Sequence, residues 1–256
     1  MKNKQIRLLI IAGLSLLVFG FAGCKKNNVE EKPKCRVVKI TGPLSTEIFS
    51  YDAQGRILSV NYGNFDESFT YEGDSIIKQG TWKSVYALNA NGLLAFERRE
   101  YNSSGTEWET RTYEYDGMQL KKLTAKKSHS EGFTRTYTWS NGNMMLEHTE
   151  GNLYTQDIAY EYYMDKPSRP GDVQSWDLLE NGVETIRNKN LVKKYSSTFS
   201  DYRNPSPTDP PGTPTVEKEA DSYTYTFGGD GTISSMTASR EGNSNPSTYT
   251  YEYQCN

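Results

Sequence analysis

Apolar and polar positions alternate with a period of two along most of this chain, and Gly- and Asn/Asp-rich turns interrupt the alternation again and again. One unit reads Phe49-Ser50-Tyr51-Asp52-Ala53-Gln54-Gly55-Arg56-Ile57, and another runs from Tyr86 through Asn89-Ala90-Asn91-Gly92 to Leu94. Tyr113-Glu114-Tyr115-Asp116-Gly117-Met118 and Tyr137-Thr138-Trp139-Ser140-Asn141-Gly142-Asn143-Met144 repeat it, as does Tyr225-Thr226-Phe227 followed by Gly228, Gly229, Asp230, Gly231 and Ile233. A period of two places side chains on one face of a strand, and Gly with Asn or Asp supplies the positive backbone angles of a tight turn. Each unit therefore predicts a β-hairpin, and the chain is a succession of them. Strand-like segments run from Arg36–Ile40 to Thr248–Cys255 and include Val173–Leu179. Most connections are about two to six residues, so neighbours in sequence should pair antiparallel.

The alternation also separates two faces. Tyr113 and Tyr115 point away from Thr112 and Glu114, Tyr137 and Trp139 away from Thr136 and Thr138, and Tyr249, Tyr251 and Tyr253 away from Thr250 and Glu252. One face is aromatic and the other is Thr, Ser, Glu, Arg and Lys. The expected fold is all-β: an antiparallel meander of roughly 14–17 strands linked by hairpins, curled into a soluble barrel-like or flattened sheet. A membrane-spanning barrel needs an apolar outer band. These strands carry few aliphatic positions, and the mean hydropathy is −0.77. Nineteen tyrosines suit a partly wet interior, because each buried ring brings a hydroxyl that needs a partner.

Three stretches break the rhythm. Residues 164–172 read as a longer turn. Residues 203–221 hold Pro205, Pro207, Pro210, Pro211 and Pro214 and read as an exposed, semi-rigid loop. Asp177–Lys194 is the one stretch that tolerates a helical turn, although Asn181-Gly182 favours a hairpin there.

The start of the chain bears on compartment. Lys2, Lys4 and Arg7 precede an apolar run from Leu8 to Phe21, which ends at Phe21-Ala22-Gly23-Cys24. A basic flank, a short apolar stretch and small residues before a cleavage point make an export signal. The last four residues resemble a bacterial lipobox, with Phe21 where Leu is usual, and imply acylation of Cys24. The expected organisation is a signal peptide over 1–23, a flexible tether over 24–34 and one β domain over 35–256 that contains the Pro-rich loop 203–221. Loss of residues 1–23 takes the formal net charge from −3 to −6. A mildly acidic chain without a basic stripe excludes nucleic acid as a partner. In an oxidising compartment the two remaining cysteines, Cys35 and Cys255, are expected to form a disulfide tying the first strand to the last.

Serial Tyr-x-Tyr-Asp-x-x-Gly units resemble the YD-repeat hairpins of large bacterial toxin shells. The lipobox, the Tyr-Asp-x-x-Gly-x-Ile units, Tyr160-Glu161-Tyr162-Tyr163-Met164-Asp165-Lys166-Pro167, Lys189-Asn190-Leu191 and the closing Tyr249-x-Tyr251-x-Tyr253 resemble more closely a family of Bacteroidota lipoproteins. These carry a domain of unknown function with a porin-like β fold. The resemblance covers most of residues 35–256 and implies a curled antiparallel sheet outside the cytoplasm. It brings no activity and no functional residues with it.

Catalytic material is scarce. His129 sits in a hairpin tip, His148 ends a strand, and no Cys/His spacing suits zinc. Asp66-Glu67 is an acidic pair in a solvated setting, and Asp52 and Asp116 serve turns. No catalytic residue, metal site or cofactor is expected, and the chain is not read as an enzyme. Trp108 lies on the opposite parity from Tyr113 and Tyr115, beside Thr110 and Thr112, where an aromatic ring can stack on a sugar or a partner surface. Trp82 and Trp176, at strand ends, are the other two ligand candidates. The expectation is a non-catalytic lipoprotein, anchored through its lipid in the outer membrane on the periplasmic or cell-surface face. It would bind an amphipathic small molecule in a Tyr-lined interior, or a glycan. The alternative is a structural or assembly scaffold that contacts other envelope proteins.

Overall fold

The computed structural model describes residues 35–175, 182–183, 185–203 and 212–255. Residues 1–34, where a signal peptide, the acylated Cys24 and a tether are expected, and Trp176 lie outside the described residues. The described chain forms sixteen strands. The first eight are β1 (Cys35–Thr41), β2 (Thr46–Tyr51), β3 (Ile57–Asn61), β4 (Asp66–Glu72), β5 (Ser75–Gln79), β6 (Lys83–Leu88), β7 (Leu94–Glu100) and β8 (Trp108–Asp116). The remainder are β9 (Gln119–Lys127), β10 (Phe133–Ser140), β11 (Asn143–Gly151), β12 (Tyr154–Pro167), β13 (Asn190–Asp201), β14 (Thr215–Phe227), β15 (Ile233–Arg240) and β16 (Ser247–Cys255). Every strand pairs antiparallel with its neighbours in sequence, and β1 pairs with β16, so the meander closes into a barrel. Closure leaves no sheet edge. The Cys35–Cys255 disulfide crosses the seam, with Cα atoms 4.0 Å apart.

The repeated sequence unit has a repeated structure. The register slips by one residue beside the turn, where the second strand of the hairpin carries an extra residue: Leu58 in β3, Ala95 in β7, Lys121 in β9, Met145 in β11 and Ser234 in β15. Such a bulge sharpens local twist and helps a sheet curl. It also makes direct cross-strand partners of the two apolar positions in the unit: Tyr51 with Ile57, Leu88 with Leu94, Tyr115 with Leu120, Trp139 with Met144 and Phe227 with Ile233. Ile57, Leu94, Leu120, Met144 and Ile233 are all buried, each contributing roughly 1.5–3 kcal/mol by leaving water. In the third unit Met118 was read as the aliphatic position, but it is 48% exposed and Leu120 occupies the buried slot. Asn141, the one non-glycine residue with positive φ among the described residues, precedes Gly142 at φ 81°, and the pair makes a two-residue turn.

Neighbouring hairpins are locked together by the same aromatics. Tyr71 Oη donates to the Ile57 carbonyl at 2.9 Å, Trp139 Nε1 to the Leu120 carbonyl at 2.8 Å, and Tyr162 Oη to the Met144 carbonyl. Tyr51 Oη donates likewise to the Val37 carbonyl. The guanidiniums of Arg36 and Arg56 lie over the Tyr51 and Tyr71 rings, 4.7 and 4.1 Å from their centroids. These four side chains thus each meet a backbone carbonyl on an earlier strand.

The structure corrects three expected boundaries. Val173–Leu179 is not a strand: Val173–Ser175 form a 3-10 turn, and 176–179 lie outside the described residues. The expected loop 203–221 is shorter, because Thr215–Asp221 belong to β14 and pair with β13, which runs on to Asp201. Proline removes ladder donors only as far as Pro214, so pairing resumes directly after it. Within Asp177–Lys194 the described residues hold no helical turn, and Asn190–Lys194 begin β13. Gly182 (φ +68°) packs against Phe69 and Tyr71, so it serves a close approach to the wall of the barrel rather than a strand hairpin.

Candidate functional site

The interior is layered along the barrel axis. All the bulged hairpins, the disulfide and the ends of β12 and β13 that their connection joins lie at one end; the loop 101–107 and the ends of β13 and β14 that flank Pro214 lie at the other. Toward the first end the inward side chains are aliphatic or aromatic, including Val37, Phe49, Ile57, Ile76, Tyr225 and Tyr251. Toward the loop end the same strands turn charged: Glu47 on β2, Glu67 on β4, Lys78 on β5, Glu97 and Arg99 on β7, and Glu109 and Arg111 on β8. Outward positions carry mainly Thr, Ser, Lys and Glu, as in Thr70, Glu114, Lys121, Thr136, Thr224 and Thr250, all exposed.

The densest charge lies across β7 to β11. Glu97 is 3% exposed. It is approached by Arg99 Nη2 at 3.1 Å, Arg111 Nη1 at 3.5 Å and the Tyr113 hydroxyl at 3.0 Å. Glu109 accepts from Arg111 Nε at 2.6 Å and faces Lys127 Nζ at 3.6 Å. Arg135 bonds the Glu147 carboxylate through Nη1 at 3.1 Å and Thr149 Oγ1 through Nε at 3.0 Å. Burial pulls the Arg111 guanidinium toward its neutral form, but Glu97 and Glu109 outweigh it and hold its pKa above the ordinary range. Burial, reinforced by Glu97, raises the Tyr113 phenol; burial raises Tyr86 to about 12, with Glu97 adding to the effect.

The described residues of the connection from 168 to 189 lie across this end of the lumen. They touch the wall almost all the way round. Arg169 donates to the Gly231 carbonyl, the Pro170 carbonyl accepts from Tyr253 Oη at 2.9 Å, and Asn188 Oδ1 accepts from the Met144 amide at 2.6 Å. Val183 joins the main apolar core. Asp172, at 0% exposure, takes hydrogen bonds from the Ser168 hydroxyl at 3.1 Å and the Tyr225 hydroxyl at 3.3 Å. Burial raises its pKa from the usual 3.8 to about 6, and those hydrogen bonds oppose the rise.

Between this cap and the charged wall lies a cavity of about 150 Å³. Arg111, Arg135, Glu97 and Glu147 supply its polar surface, with the Tyr86, Tyr113 and Tyr137 rings; Leu94, Leu120 and Leu123 supply an apolar side, and Thr185 and Ile186 come from the cap. Neutralised charges beside aliphatic carbons make a pocket that can orient a small molecule with one polar and one apolar end. Parity in the sequence could have located it. Glu109 and Arg111 have the parity of Tyr113, and Arg135 that of Tyr137, yet scattered charges of both signs read as a solvated face.

The tryptophans do not converge on this cavity. Trp82, 46% exposed in the turn between β5 and β6, meets Tyr101 edge-on with ring centroids 5.9 Å apart. Trp108 begins β8 on the outward face beside Thr110, half-buried, with Arg98 5.2 Å above its ring. His148 is outward and pairs with Asp157 at 2.6 Å. Among the described residues one trio has metal-ligand proximity, Cys35, Asp230 and Cys255. Its two sulfurs are joined to each other, which removes them as thiolate ligands.

No protein-family model matches the chain, and no curated protein matches it. Among solved structures it is similar to a porin-like protein from Bacteroides uniformis, at TM-score 0.62 and 14% identity, over 85% of this chain and 98% of that one. At that identity the likeness shows the fold: a porin-like β-barrel. Two matches are to large toxin assemblies. The Photorhabdus luminescens Tc holotoxin pore aligns at TM-score 0.30 and 13% identity, over 80% of this chain and 9% of that one. A TcdB2-TccC3 structure without its hypervariable C-terminal region aligns at TM-score 0.32 and 14% identity, over 80% and 9%.

Proposed function

We propose that this chain is a non-catalytic, lipid-anchored lipoprotein of the bacterial outer envelope whose barrel binds a small amphipathic molecule inside its lumen. The observation that carries the reading is the cavity beneath the cap, where paired guanidiniums and carboxylates stand beside three leucines. The charged groups there satisfy one another, which suits recognition better than bond-breaking: no side chain is set apart as a nucleophile with its base. The polar outward face supports a barrel standing in water and held by a lipid rather than by its strands, because a spanning barrel would present an apolar band there. The export signal and the Ala22-Gly23-Cys24 sequence support the anchor.

Native mass spectrometry of the chain purified without denaturant tests the binding. The expected result is a bound mass of low molecular weight that is lost on unfolding. A barrel that stays empty through gentle purification, and gains nothing from a library of small amphipathic compounds, would leave the scaffold reading in its place. Trp82 beside Tyr101 favours a second, outer contact, because an exposed indole at a loop end can stack on a sugar ring. Fluorescence titration with glycans, with Trp82→Ala as the comparison, checks it: the expected response is a quench that the variant loses.

A further inference from the structure

We infer that the start of β14, Thr215–Glu219, is a docking edge for an extended peptide of a partner protein, which adds as a strand in line with β15 and carries an acidic, a basic and a β-branched residue in succession. Where all sixteen strands run side by side the closed sheet has no edge, but β14 reaches past its neighbour. β15 ends at Arg240, opposite Asp221, and the Glu241 amide gives one more hydrogen bond to the Ala220 carbonyl at 2.8 Å. From Thr215 to Glu219, β14 pairs with β13 on one side only, and all five residues are exposed. Alternate residues of an antiparallel strand direct their backbone groups to the same side. The Ala220 carbonyl faces β15, so the N–H and C=O groups of Val216 and Lys218 face that side too, and among the described residues no strand pairs with them there. An open notch of about 440 Å³ adjoins this edge, lined in part by Lys218, Glu219, Ala220, Glu241 and Gly242. Strand addition draws affinity from main-chain hydrogen bonds and specificity from alternating side chains.

Charge selects the occupant. Glu217 and Glu219 share the face of Tyr223 and Tyr225, whereas Val216 and Lys218 lie on the opposite face. Glu219 is held by Arg240 Nη1 at 3.3 Å. Glu217 has Phe199 opposite it on β13, and Lys218 has Thr198, so neither meets an opposite charge across that ladder. In an antiparallel partner the residue opposite Lys218 comes first, the one opposite Glu217 second and the one opposite Val216 third. Opposite charges and β-branched pairs across strands are favourable, and like charges directly opposite are not. Asp or Glu, then Lys or Arg, then Val or Ile satisfies all three positions. A second copy of this chain does not, because pairing Val216 of one copy with Lys218 of the other sets Glu217 against Glu217. Charges on an edge also turn away indiscriminate apolar strands.

Fluorescence polarisation of the full chain in detergent compares two short labelled peptides flanked by threonines, one centred on Glu-Arg-Val and the other on Glu-Glu-Val. The first is expected to bind saturably and at least fivefold more tightly. Methylating the backbone nitrogens of its first and third central residues, which face Lys218 and Val216, is expected to abolish binding without touching the protein. Glu217→Lys should reverse the preference between the two peptides. Val216→Pro removes a donor from the open side and spares the ladder with β13, so it should lose binding with an unchanged circular dichroism spectrum. In the wild type, bound peptide should slow hydrogen exchange at the Val216 and Lys218 amides and leave those of Glu217 and Glu219 as they were. Equal binding of the two peptides, binding that survives methylation, or no binding at millimolar peptide overturns the assignment.

Discussion

Asp172 is a carboxyl group wholly withdrawn from water, and its environment makes stability depend on pH. The folded form holds the proton to about pH 6, whereas an unfolded chain releases it near 3.8. The folded state therefore binds more protons between those values, and stability falls as pH rises through that window and levels off above it. The lost contribution is roughly 3 kcal/mol. Asp172→Asn keeps the hydrogen bonds and removes the titration. The two proteins are expected to have similar urea midpoints at pH 3, with the variant more stable by about that amount at pH 7. The tyrosines offer a matched pair. Tyr71 Oη meets the Ile57 carbonyl, whereas Tyr115 Oη is buried without a hydrogen-bond partner. Tyr71→Phe is expected to cost about 1 kcal/mol, and Tyr115→Phe to be neutral or mildly stabilising, both read by urea denaturation.

The hairpin is the element on which this fold is built, and its bulge is what the sequence left hidden. The turn residues and the alternation were legible in Tyr51-Asp52 through Gly55 and in Ser140 to Asn143. The register slip between Ser50 and Tyr51 was not, because one extra residue leaves no mark in a short run. Met118 was misread because this unit has a two-residue turn, Gly117-Met118, so the buried slot falls at Leu120. The connection from 168 to 189 was hidden more deeply. Its sequence reads locally as a turn, a strand over Val173–Leu179 and an Asn181-Gly182 hairpin, and only contacts with walls distant in sequence, such as Asp172 with Tyr225 and Gly182 with Phe69, show a different role. The cap and cavity are expected to respond together. Hydrogen exchange at 182–189 should slow when a ligand fills the cavity, while exchange in β1 and β16 should stay constant.

At the scale of the whole molecule, stability depends on closing the circle. β1 and β16 are joined by ladder hydrogen bonds and by one disulfide spanning 220 residues of sequence. For a loop of that length the chain-entropy account gives about 5 kcal/mol. A Cys35→Ser, Cys255→Ser double variant is therefore expected to melt well below the oxidised protein, and reductant should lower the wild-type midpoint toward the variant's. The proposed anchor is testable at the same scale. Wild type should fractionate with membranes and Cys24→Ser with the soluble periplasmic contents.

The sequence by itself determined what depends on near neighbours: strands from the alternation, turns from Gly with Asn or Asp, antiparallel order from short connections, and which rings share a face. Tertiary structure decided what depends on closure. Whether a meander curls, flattens or seals is set by bulges and by the pairing of its two ends; the expected Cys35–Cys255 bridge brings those ends together, but only the structure shows the ladder that joins β1 to β16. Closure also decided which charges are inside. Glu97, Arg111 and Arg135 differ from solvated neighbours in nothing but the face they occupy. A residue's face becomes an interior only once the sheet has wrapped round to enclose it.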